Sequence, residues 1–267
     1  PYRRQRQMCI RDSYMPVITK HNVLDINNVV FGDGTPKICL PIVDTTKEDI
    51  IDTLDSYKDL DYDVVEIRLD FYEGLKEGHL TDALEEIKKH TDRLVLGTIR
   101  TVSEGGEGEL TSLEYIHCIK EICDAHVDLV DIELSQGYES VMELVQYAHK
   151  KGVHVIMSEH HFEETPSRED MQKTLEKMEI LGADLPKLAV MPESKEDLLT
   201  LLEATLYSSQ RLGKPIITMS MGKLGRLSRM MGEYFGSCMT FATAKDASAP
   251  GQVPLDDLKK VLEVLHD

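Results

Sequence analysis

The stretch GADLPKLAVMP, residues 182–192, shows the unit from which this fold is built. Gly182 follows a segment with apolar residues at helical spacing, residues 185–191 form an apolar run short enough for a buried strand, and Ser194 precedes another helical segment. A strand that lies between helices is covered on both faces, as in parallel α/β sheets. Lys187 interrupts this strand where Val or Ile is expected, so the stretch also raises a question about function.

The same strand-then-helix unit recurs along the chain on both sides of this stretch. Strand-like runs occupy residues 37–43, 63–69, 93–99, 128–134, 154–158, 186–190, 215–220 and 239–243. Segments with helical spacing occupy residues 47–60, 79–90, 111–124, 138–150, 167–181, 194–212, 226–235 and 254–265. These strand–helix units, joined without a long linker, predict a closed (β/α)8 TIM barrel, with an open doubly wound sheet as the second choice.

The predicted helix ends carry the residues that usually start or stop helices. Ser or Thr stands near several of the starts, and glycine follows several of the ends. The expected N-caps are Thr46, Thr111, Ser140, Ser167 and Ser194, and the expected C-terminal glycines are Gly152, Gly182 and Gly213.

The N-terminal region does not share the repeating pattern. Residues 17–37 hold a Gly-Asp-Gly turn between short β-prone runs, which predicts a β-hairpin that closes the bottom of the barrel. Residues 1–14 are strongly basic and differ in composition from the rest of the chain, so we expect a non-native or a disordered tail there. Residues 15–267 are then expected to form a single (β/α)8 catalytic domain.

Composition limits the class of function. The chain has a formal net charge of −18, which disfavours nucleic acid and anionic membranes as partners and requires an anionic substrate to be held by a few local cations. No apolar run approaches the roughly 18 residues of a membrane span. The five cysteines form no CxxC pair, and their odd count favours reduced thiols in the cytoplasm over a disulfide framework.

Charged residues gather where the predicted strands end, which is where β/α barrels build their sites. These residues are Glu66, Arg68, Asp70, Arg100, Glu104, Asp131, Glu133 and Lys187. Any one of them could form a salt bridge to a neighbouring helix. Burying so many charges at one rim is costly, however, so together they predict an active site.

Lys187 has two interpretations. The first is a rim amine that is ion-paired with Glu66 or Glu133. The second is a nucleophile: burial among apolar neighbours lowers the pKa of the amine, which can then attack a ketone and form an electron-withdrawing iminium. An iminium reaction needs a group that moves protons, and His160 and His161 follow the preceding strand.

The segment SEHHFEE, residues 158–164, also has a competing interpretation as a divalent metal site. Adjacent histidines on an extended segment point to opposite sides, so we favour the proton-transfer role and expect no metal.

Two later segments are expected to bind an anion. Residues 221–232 are glycine-rich and follow the seventh strand, a usual place for a phosphate or carboxylate in a barrel. Residues 245–252 follow the eighth strand and predict a mobile lid whose Ser248 and Gln252 donate hydrogen bonds. The basic residues of the first segment are Lys223, Arg226 and Arg229.

With these residues assembled, the chain resembles the type I 3-dehydroquinate dehydratases, shikimate-pathway enzymes that work through a lysine Schiff base. The resemblance spans residues 17–265, and its motifs occur in the family's order: EIRLD (66–70), TIRTVSEGGEGEL (98–110), SEHHF (158–162), PKLAVMP (186–192), ITMSMG (217–222), GRLSR (225–229) and ASAPGQ (247–252). It implies a TIM-barrel hydro-lyase of aromatic amino acid (chorismate) biosynthesis. It further implies a cytoplasmic homodimer whose small-molecule substrate is 3-dehydroquinate, with no metal or organic cofactor.

The resemblance also implies a role for each site residue. Lys187 would form the iminium with the C3 ketone of the substrate. His160 would take the C2 proton and help the C1 hydroxyl leave, giving 3-dehydroshikimate, with Glu104 as its acidic partner. Arg229 would hold the substrate carboxylate, assisted by Ser248 and Gln252. The other implied contacts are Glu66, Arg68 and Arg100 around the ring hydroxyls and Met219, Met221 and Phe241 beneath the ring.

Two residues depart from the family's pattern. Pro41 stands where many members carry a small hydroxyl residue, and His161 stands where an acid is common. Neither replaces the lysine, so they bear on substrate affinity more than on reaction type. Two alternatives stay open: a class I aldolase acting on a keto acid or sugar phosphate, and a binding protein that has lost its chemistry. The joint presence of Lys187, His160 and Glu104 counts against the second.

Overall fold

In a computed structural model of the chain, residues 22–245 and 248–266 are described, so the prediction for residues 1–14 lies outside the described part. The strands are β1 Leu24–Ile26, β2 Val29–Phe31, β3 Lys37–Ile42, β4 Val64–Arg68, β5 Leu94–Thr98, β6 Leu129–Glu133, β7 His154–His161, β8 Leu185–Val190, β9 Ile217–Ser220, β10 Met239–Thr243 and β11 Val253–Pro254. The α-helices are α1 Lys47–Ser56, α2 Leu80–Ile87, α3 Ser112–Asp124, α4 Tyr138–Lys150, α5 Arg168–Ile180, α6 Lys195–Ser209, α7 Gly222–Met230, α8 Gly232–Phe235 and α9 Leu255–His266. Within the described residues, no helix has the length and apolar character needed to cross a membrane.

The main sheet is a closed parallel barrel. Its strands pair in the order β11-β10-β3-β4-β5-β6-β7-β8-β9, and every pair is parallel. The sheet closes between β9 and β10 through a parallel bridge from Ile216 to Ser237, and the N–H of Cys238 donates to the carbonyl of Ile216 at 2.8 Å. Helices follow the strands in alternation, which confirms the predicted (β/α)8 architecture.

Side chains along each strand point alternately into the barrel interior and outward to the helices, which gives two apolar layers. In β8, Leu185 and Ala189 face the barrel interior, whereas Leu188 and Val190 pack outward against the helices. Lys187 has the interior parity, as expected for a strand in which successive side chains point to opposite faces. The lower interior is filled by apolar side chains, so charged residues of the same parity lie in a layer above an apolar floor.

Most of the predicted helix caps are correct. The hydroxyl groups of Thr46, Thr111, Ser167 and Ser194 each accept a backbone N–H in the first turn of the following helix. The cap predicted at Ser140 is wrong, because α4 already begins at Tyr138 and Ser140 lies within its first turn.

Several element boundaries differ from the prediction. Gly152 and Gly182 end helices with φ of 76° and 96°, but Gly213 is not in the left-handed region and lies beyond the end of α6. The helix predicted over residues 226–235 is two helices, α7 and α8, and strand β7 continues to His161 instead of ending at residue 158.

The N-terminal hairpin is present, but its turn is not where the sequence indicated. Strands β1 and β2 are antiparallel and are joined by Asn27 and Asn28, with φ of 51° and 70°. Asparagine tolerates this left-handed conformation, which two-residue hairpin turns require. The Gly-Asp-Gly segment comes after β2 instead. Ile26 and Phe31 are buried against the apolar floor, so the hairpin closes the bottom of the barrel as predicted.

Replacing Phe31 tests how much this closure contributes to stability. Phe31 is fully buried, so we expect Phe31→Ala to lower the free energy of unfolding by about 3–5 kcal/mol through lost apolar contact and a cavity. Urea unfolding followed by far-UV circular dichroism measures the change. Val30→Ala, at a half-exposed position of the same strand, is the control; equal losses in the two variants would contradict the closing role of Phe31.

Candidate active site

One cavity lies at the carboxyl ends of the barrel strands, above the apolar floor. The space between its lining side chains, including the part that is open to solvent, is about 500 Å³. The residues to which the family resemblance assigns a role all line this cavity: Lys187, His160, Glu104, Glu66, Arg68, Arg100, Met219, Met221, Arg229, Phe241, Ser248 and Gln252.

Lys187 projects from β8 into this cavity and is only 4% exposed. Its Nζ donates to Oδ2 of Asp131 at 3.2 Å and lies 4.7 Å from the centre of the Phe241 ring. The pairing with Glu66 or Glu133 considered from the sequence is wrong, because the carboxylate in contact is Asp131 on β6. The amine is therefore held in place by one carboxylate and one aromatic face.

Arg100 holds the carboxylates on β6. Its Nη2 lies 2.8 Å from Asp131 and its Nη1 lies 2.8 Å from Glu133. Ser158 adds a hydrogen bond to Asp131 at 2.5 Å. Burial by itself would raise the pKa of Asp131, but Arg100 and Lys187 outweigh it and hold that pKa below its usual value. Asp131 is thus a fixed negative charge beside the lysine.

His160 is paired with Glu104 across the end of β7. Its Nδ1 lies 2.9 Å from Oε2 of Glu104, and its ring stacks against Phe162 with a centroid distance of 6.2 Å. Burial, followed by the nearby Arg100 and Lys187 charges, lowers the pKa of His160 well below its ordinary value. The imidazole is therefore neutral near pH 7 and has one nitrogen free to accept a proton.

Glu104 is a carboxyl group of the cavity whose pKa is raised to near neutral pH. Burial and the neighbouring charge of Glu133 raise its pKa to about 7, although Arg100 and a hydrogen bond from the Ser135 hydroxyl oppose the shift. Glu133 itself accepts hydrogen bonds from Arg100, Thr101 and Gln136 and is fully buried. The Glu104–His160 pair thus contains a group whose protonation changes near pH 7.

His161 lies apart from this pair. It comes directly after His160 on an extended strand and faces away from the cavity, where its Nε2 lies 2.8 Å from Glu159. The hydrogen bond to Glu159 raises the pKa of His161. Among the described residues, no group of three or more His, Cys, Asp or Glu side chains is arranged to hold a metal ion.

Arg229 reaches the cavity because α7 packs closely on β9. A Cβ atom at Gly225 would lie 2.2 Å from the carbonyl oxygen of Ser220, so only glycine permits this approach. The guanidinium contacts Met219 at 3.5 Å and the carbonyl of Pro250 at 3.3 Å, and its Nε has no hydrogen-bond partner among the described residues. Burial lowers the pKa of Arg229 to about 10, which still leaves a cation near neutral pH.

Among the three basic residues of segment 221–232, only Arg229 faces the cavity. Lys223 and Arg226 lie on the exposed face of α7, so the expectation that all three form the anion site is wrong for these two. Within the described residues Arg229 has no carboxylate partner, which leaves its charge available to a ligand.

Of the segment predicted as a lid, residues 246 and 247 lie outside the described residues, whereas Ser248, Ala249 and Gln252 line the cavity. The backbone N–H of Ser248 donates to Oε1 of Gln252, and Nε2 of Gln252 donates to the Ser248 hydroxyl, both at 3.0 Å. Arg68 donates to the Ser248 carbonyl at 3.4 Å while Asp70 holds its guanidinium through two hydrogen bonds of 2.8 and 2.7 Å. The lid and the end of β4 are therefore linked directly.

Three residues near the cavity were given no individual role from the sequence, although Asp131 was counted among the charged residues of the rim. Asp131 contacts Lys187, Phe162 stacks on His160, and Ser135 donates to Glu104. The period-two pattern of Asp131 and Glu133 on one strand was a visible signal for the first. Ser135 lies in a turn after β6, and its contact with a residue 31 positions earlier leaves no pattern in the sequence.

Fold and cavity together define a (β/α)8-barrel protein with a charged, small-molecule site at the carboxyl ends of its strands. The chain belongs to the type I 3-dehydroquinase family, whose model matches residues 38–267. It is 45% identical over 248 residues to 3-dehydroquinate dehydratase of Listeria welshimeri, covering 92% of this chain and 98% of the relative. It is 43% identical over 251 residues to the enzyme of that name from Clostridioides difficile, covering 91% and 97%.

A solved structure agrees with this membership. The type I 3-dehydroquinate dehydratase from Clostridium difficile with covalently modified comenic acid superposes with a TM-score of 0.88 at 44% identity, covering 91% of this chain and 98% of that one.

Proposed function

We propose that this protein is a 3-dehydroquinate dehydratase that removes water from 3-dehydroquinate by syn elimination and yields 3-dehydroshikimate. The proposal of this reaction is supported by the relatives, which are named 3-dehydroquinate dehydratase and align with nearly the whole chain. The observation that carries the proposal for this chain is the position of Lys187, buried in a cavity that also contains the His160–Glu104 pair and Arg229. These groups supply a nucleophile, a proton carrier and an anion anchor.

The first chemical step uses Lys187. The amine form attacks the C3 carbonyl, and loss of water from the carbinolamine gives an iminium. Asp131 and Phe241 fix the position of Nζ. The lysine side chain is therefore already oriented for attack on the carbonyl carbon when the substrate binds. The iminium withdraws electrons from C2 and acidifies the proton that must be removed.

The second step uses the neutral imidazole of His160. With Nδ1 directed at Glu104, Nε2 carries the lone pair that accepts the C2 proton. The resulting imidazolium then gives a proton to the C1 hydroxyl as it leaves as water. Because one side chain serves both groups, they are removed from the same face of the ring, which is a syn elimination. Hydrolysis of the product iminium releases the enone and regenerates the amine of Lys187.

Arg229 anchors the substrate carboxylate in this proposal. A buried guanidinium without a carboxylate partner among the described residues gains a charge-assisted hydrogen bond when an anion enters. We further propose that Ser248 and Gln252 exchange their mutual hydrogen bonds for bonds to the ligand. The remaining contacts are assigned to Glu66, Arg68 and Arg100 around the ring hydroxyls and to Met219, Met221 and Phe241 beneath the ring.

Replacing Arg229 tests the anion anchor. We expect Arg229→Gln to raise KM for 3-dehydroquinate by about 10- to 100-fold, the effect of losing a charge-assisted hydrogen bond of about 1.5–3 kcal/mol. Steady-state kinetics measures KM and kcat separately. Arg226→Gln, an exposed arginine one turn earlier on the same helix, is the control and should leave KM within about twofold. An unchanged KM in Arg229→Gln would contradict the anchor.

The proposal as a whole is tested by supplying 3-dehydroquinate and following the enone product by its ultraviolet absorbance, with and without borohydride. Borohydride reduces the iminium to a stable amine, so inactivation and an adduct of one ligand per chain in the intact mass are expected. Absence of both product and adduct would remove the proposal. The same experiment with keto-acid and sugar-phosphate substrates addresses a class I aldolase, which the relatives' names do not favour.

We also propose that the chain acts in the cytoplasm as a homodimer, with residues 15–267 as one catalytic domain and without a metal or organic cofactor. The described cysteines, Cys39, Cys118, Cys123 and Cys238, are buried free thiols, which suits a reducing compartment. Size-exclusion chromatography with light scattering tests the dimer, and assay after dialysis against a chelator tests the absence of a metal requirement.

A further inference from the structure

We propose that Ser135 is a positioning residue for the dehydratase reaction: its hydroxyl keeps Glu104 as a carboxylate, and Glu104 in turn directs the Nδ1–H of His160, so that Nε2 is the nitrogen that faces the substrate unprotonated. This inference rests on the proposed function. It extends that function to a residue that does not line the cavity.

The geometry is a chain of two hydrogen bonds. The hydroxyl of Ser135 donates to Oε1 of Glu104, and Oε2 of the same carboxyl group lies 2.9 Å from Nδ1 of His160. Ser135 stands in the short turn after β6 and is itself exposed, whereas Glu104 is only 4% exposed. The turn therefore brings one donor from the surface to a carboxyl group that is otherwise buried.

The charges around Glu104 show why this donor matters. Besides burial, the neighbouring Glu133 and Asp131 on β6 raise the pKa of Glu104 by repelling a third negative charge. The cations that oppose them are Arg100, whose Nη1 is 3.6 Å from Oε2 of Glu104, and Lys187. Arg100 is already bound to Asp131 and Glu133 at 2.8 Å, so it stabilises Glu104 less than it stabilises them. His161, on the far side of β7, contacts Glu159 instead.

Protonation of Glu104 would reverse the hydrogen bond to His160. A carboxylate accepts from Nδ1–H, which leaves the lone pair on Nε2. A carboxylic acid can instead donate to Nδ1, which places the imidazole proton on Nε2 and removes the base from the substrate side. Because the pKa of Glu104 is about 7, the balance between these two arrangements is set near neutral pH.

The test compares two substitutions of equal size. Ser135→Thr keeps the hydroxyl, whereas Ser135→Val has nearly the same shape as the threonine variant and carries a methyl group in place of the hydroxyl. In Ser135→Val we expect the acid limb of the kcat/KM pH profile to move up by about one pH unit, with the alkaline plateau within about threefold of wild type. Ser135→Thr should restore the wild-type profile. Gln136→Ala, which removes one of several donors to Glu133 in the same turn, should leave the limb in place.

Two outcomes would overturn the role of Ser135: an unshifted acid limb in Ser135→Val, or an equal loss of activity at every pH, which a structural defect would give. Nitrogen-15 NMR of the His160 ring provides a readout that needs no turnover. At about one pH unit above the pKa of Glu104, we expect mainly the Nδ1–H tautomer in wild type and Ser135→Thr, and a larger share of Nε2–H in Ser135→Val. An inactive wild type would contradict the proposed dehydratase activity, whereas an active wild type with identical Ser135→Val spectra and profiles would contradict this inference alone.

Discussion

We expect Lys187→Ala to lower kcat by about 10⁴-fold or more and to abolish the borohydride-stable adduct, because removal of the nucleophile of a covalent mechanism leaves only binding and proton transfer. Lys187 is the one lysine among the described residues that line the cavity, so no neighbouring amine can replace it. Product formation measures kcat, and intact mass after borohydride treatment measures the adduct.

The controls for this variant separate lost chemistry from lost structure. Lys187→Met keeps an unbranched side chain of similar length, and Asp131 retains Arg100 as a partner, so both variants should fold with melting temperatures close to wild type. Lys223→Ala changes an exposed lysine on α7 and should retain full turnover and the adduct. A folded Lys187→Ala protein that still forms product or still gains the ligand mass would overturn the Schiff-base role.

For His160→Ala we expect the iminium to form while elimination slows by about 10²- to 10⁴-fold, the range associated with general acid–base catalysis. Lys187 and Arg229 are untouched, so the substrate still binds and condenses with the amine. Without the imidazole, the C2 proton and the C1 hydroxyl lose their proton carrier. Borohydride should therefore trap the reduced adduct of the substrate itself, which is heavier by one water than the reduced adduct of the product.

The adjacent histidine supplies a matched control for this experiment. His161 differs from His160 by one position and faces away from the cavity, paired with Glu159. His161→Ala should change kcat by less than about threefold, as expected for a substitution outside the site. If His161→Ala were the slow variant and His160→Ala were active, the assignment of the proton carrier would be wrong. If neither variant slowed elimination, another group would move the protons.

Glu104 links these two predictions to pH. Its pKa of about 7 lies well above the ordinary carboxyl value of 4.5 and close to the pKa of a free imidazole, about 6.5. Activity that needs Glu104 charged and His160 neutral should rise with pH through this value and level off above it. Burial and Glu133 raise the pKa of Glu104. Glu104 therefore stays protonated, and activity stays low, up to a higher pH than for an ordinary carboxyl group.

The position of the site was predictable from local patterns. Lys187 was singled out because it interrupts an apolar strand whose carboxyl end lies at the rim where β/α barrels build their sites. The residues expected around the substrate line one cavity because parallel strands carry their carboxyl ends to the same rim. The contacts between these residues were less predictable. The ion-pair partner of Lys187 could have been any acidic residue on the neighbouring strands, and the choice of Asp131 depends on the stagger of β6, β7 and β8.

The sequence by itself determined the order of strands and helices, most helix caps and the set of charged residues at the rim, because each depends on residues within one or two turns of one another. Tertiary structure decided that Arg229 and not Lys223 or Arg226 reaches the cavity, since this depends on how closely Gly225 lets α7 approach β9. It also decided that a surface turn at Ser135 reaches Glu104. Such contacts join residues far apart in the chain, and their distances are fixed only when the closed barrel sets the register of its strands.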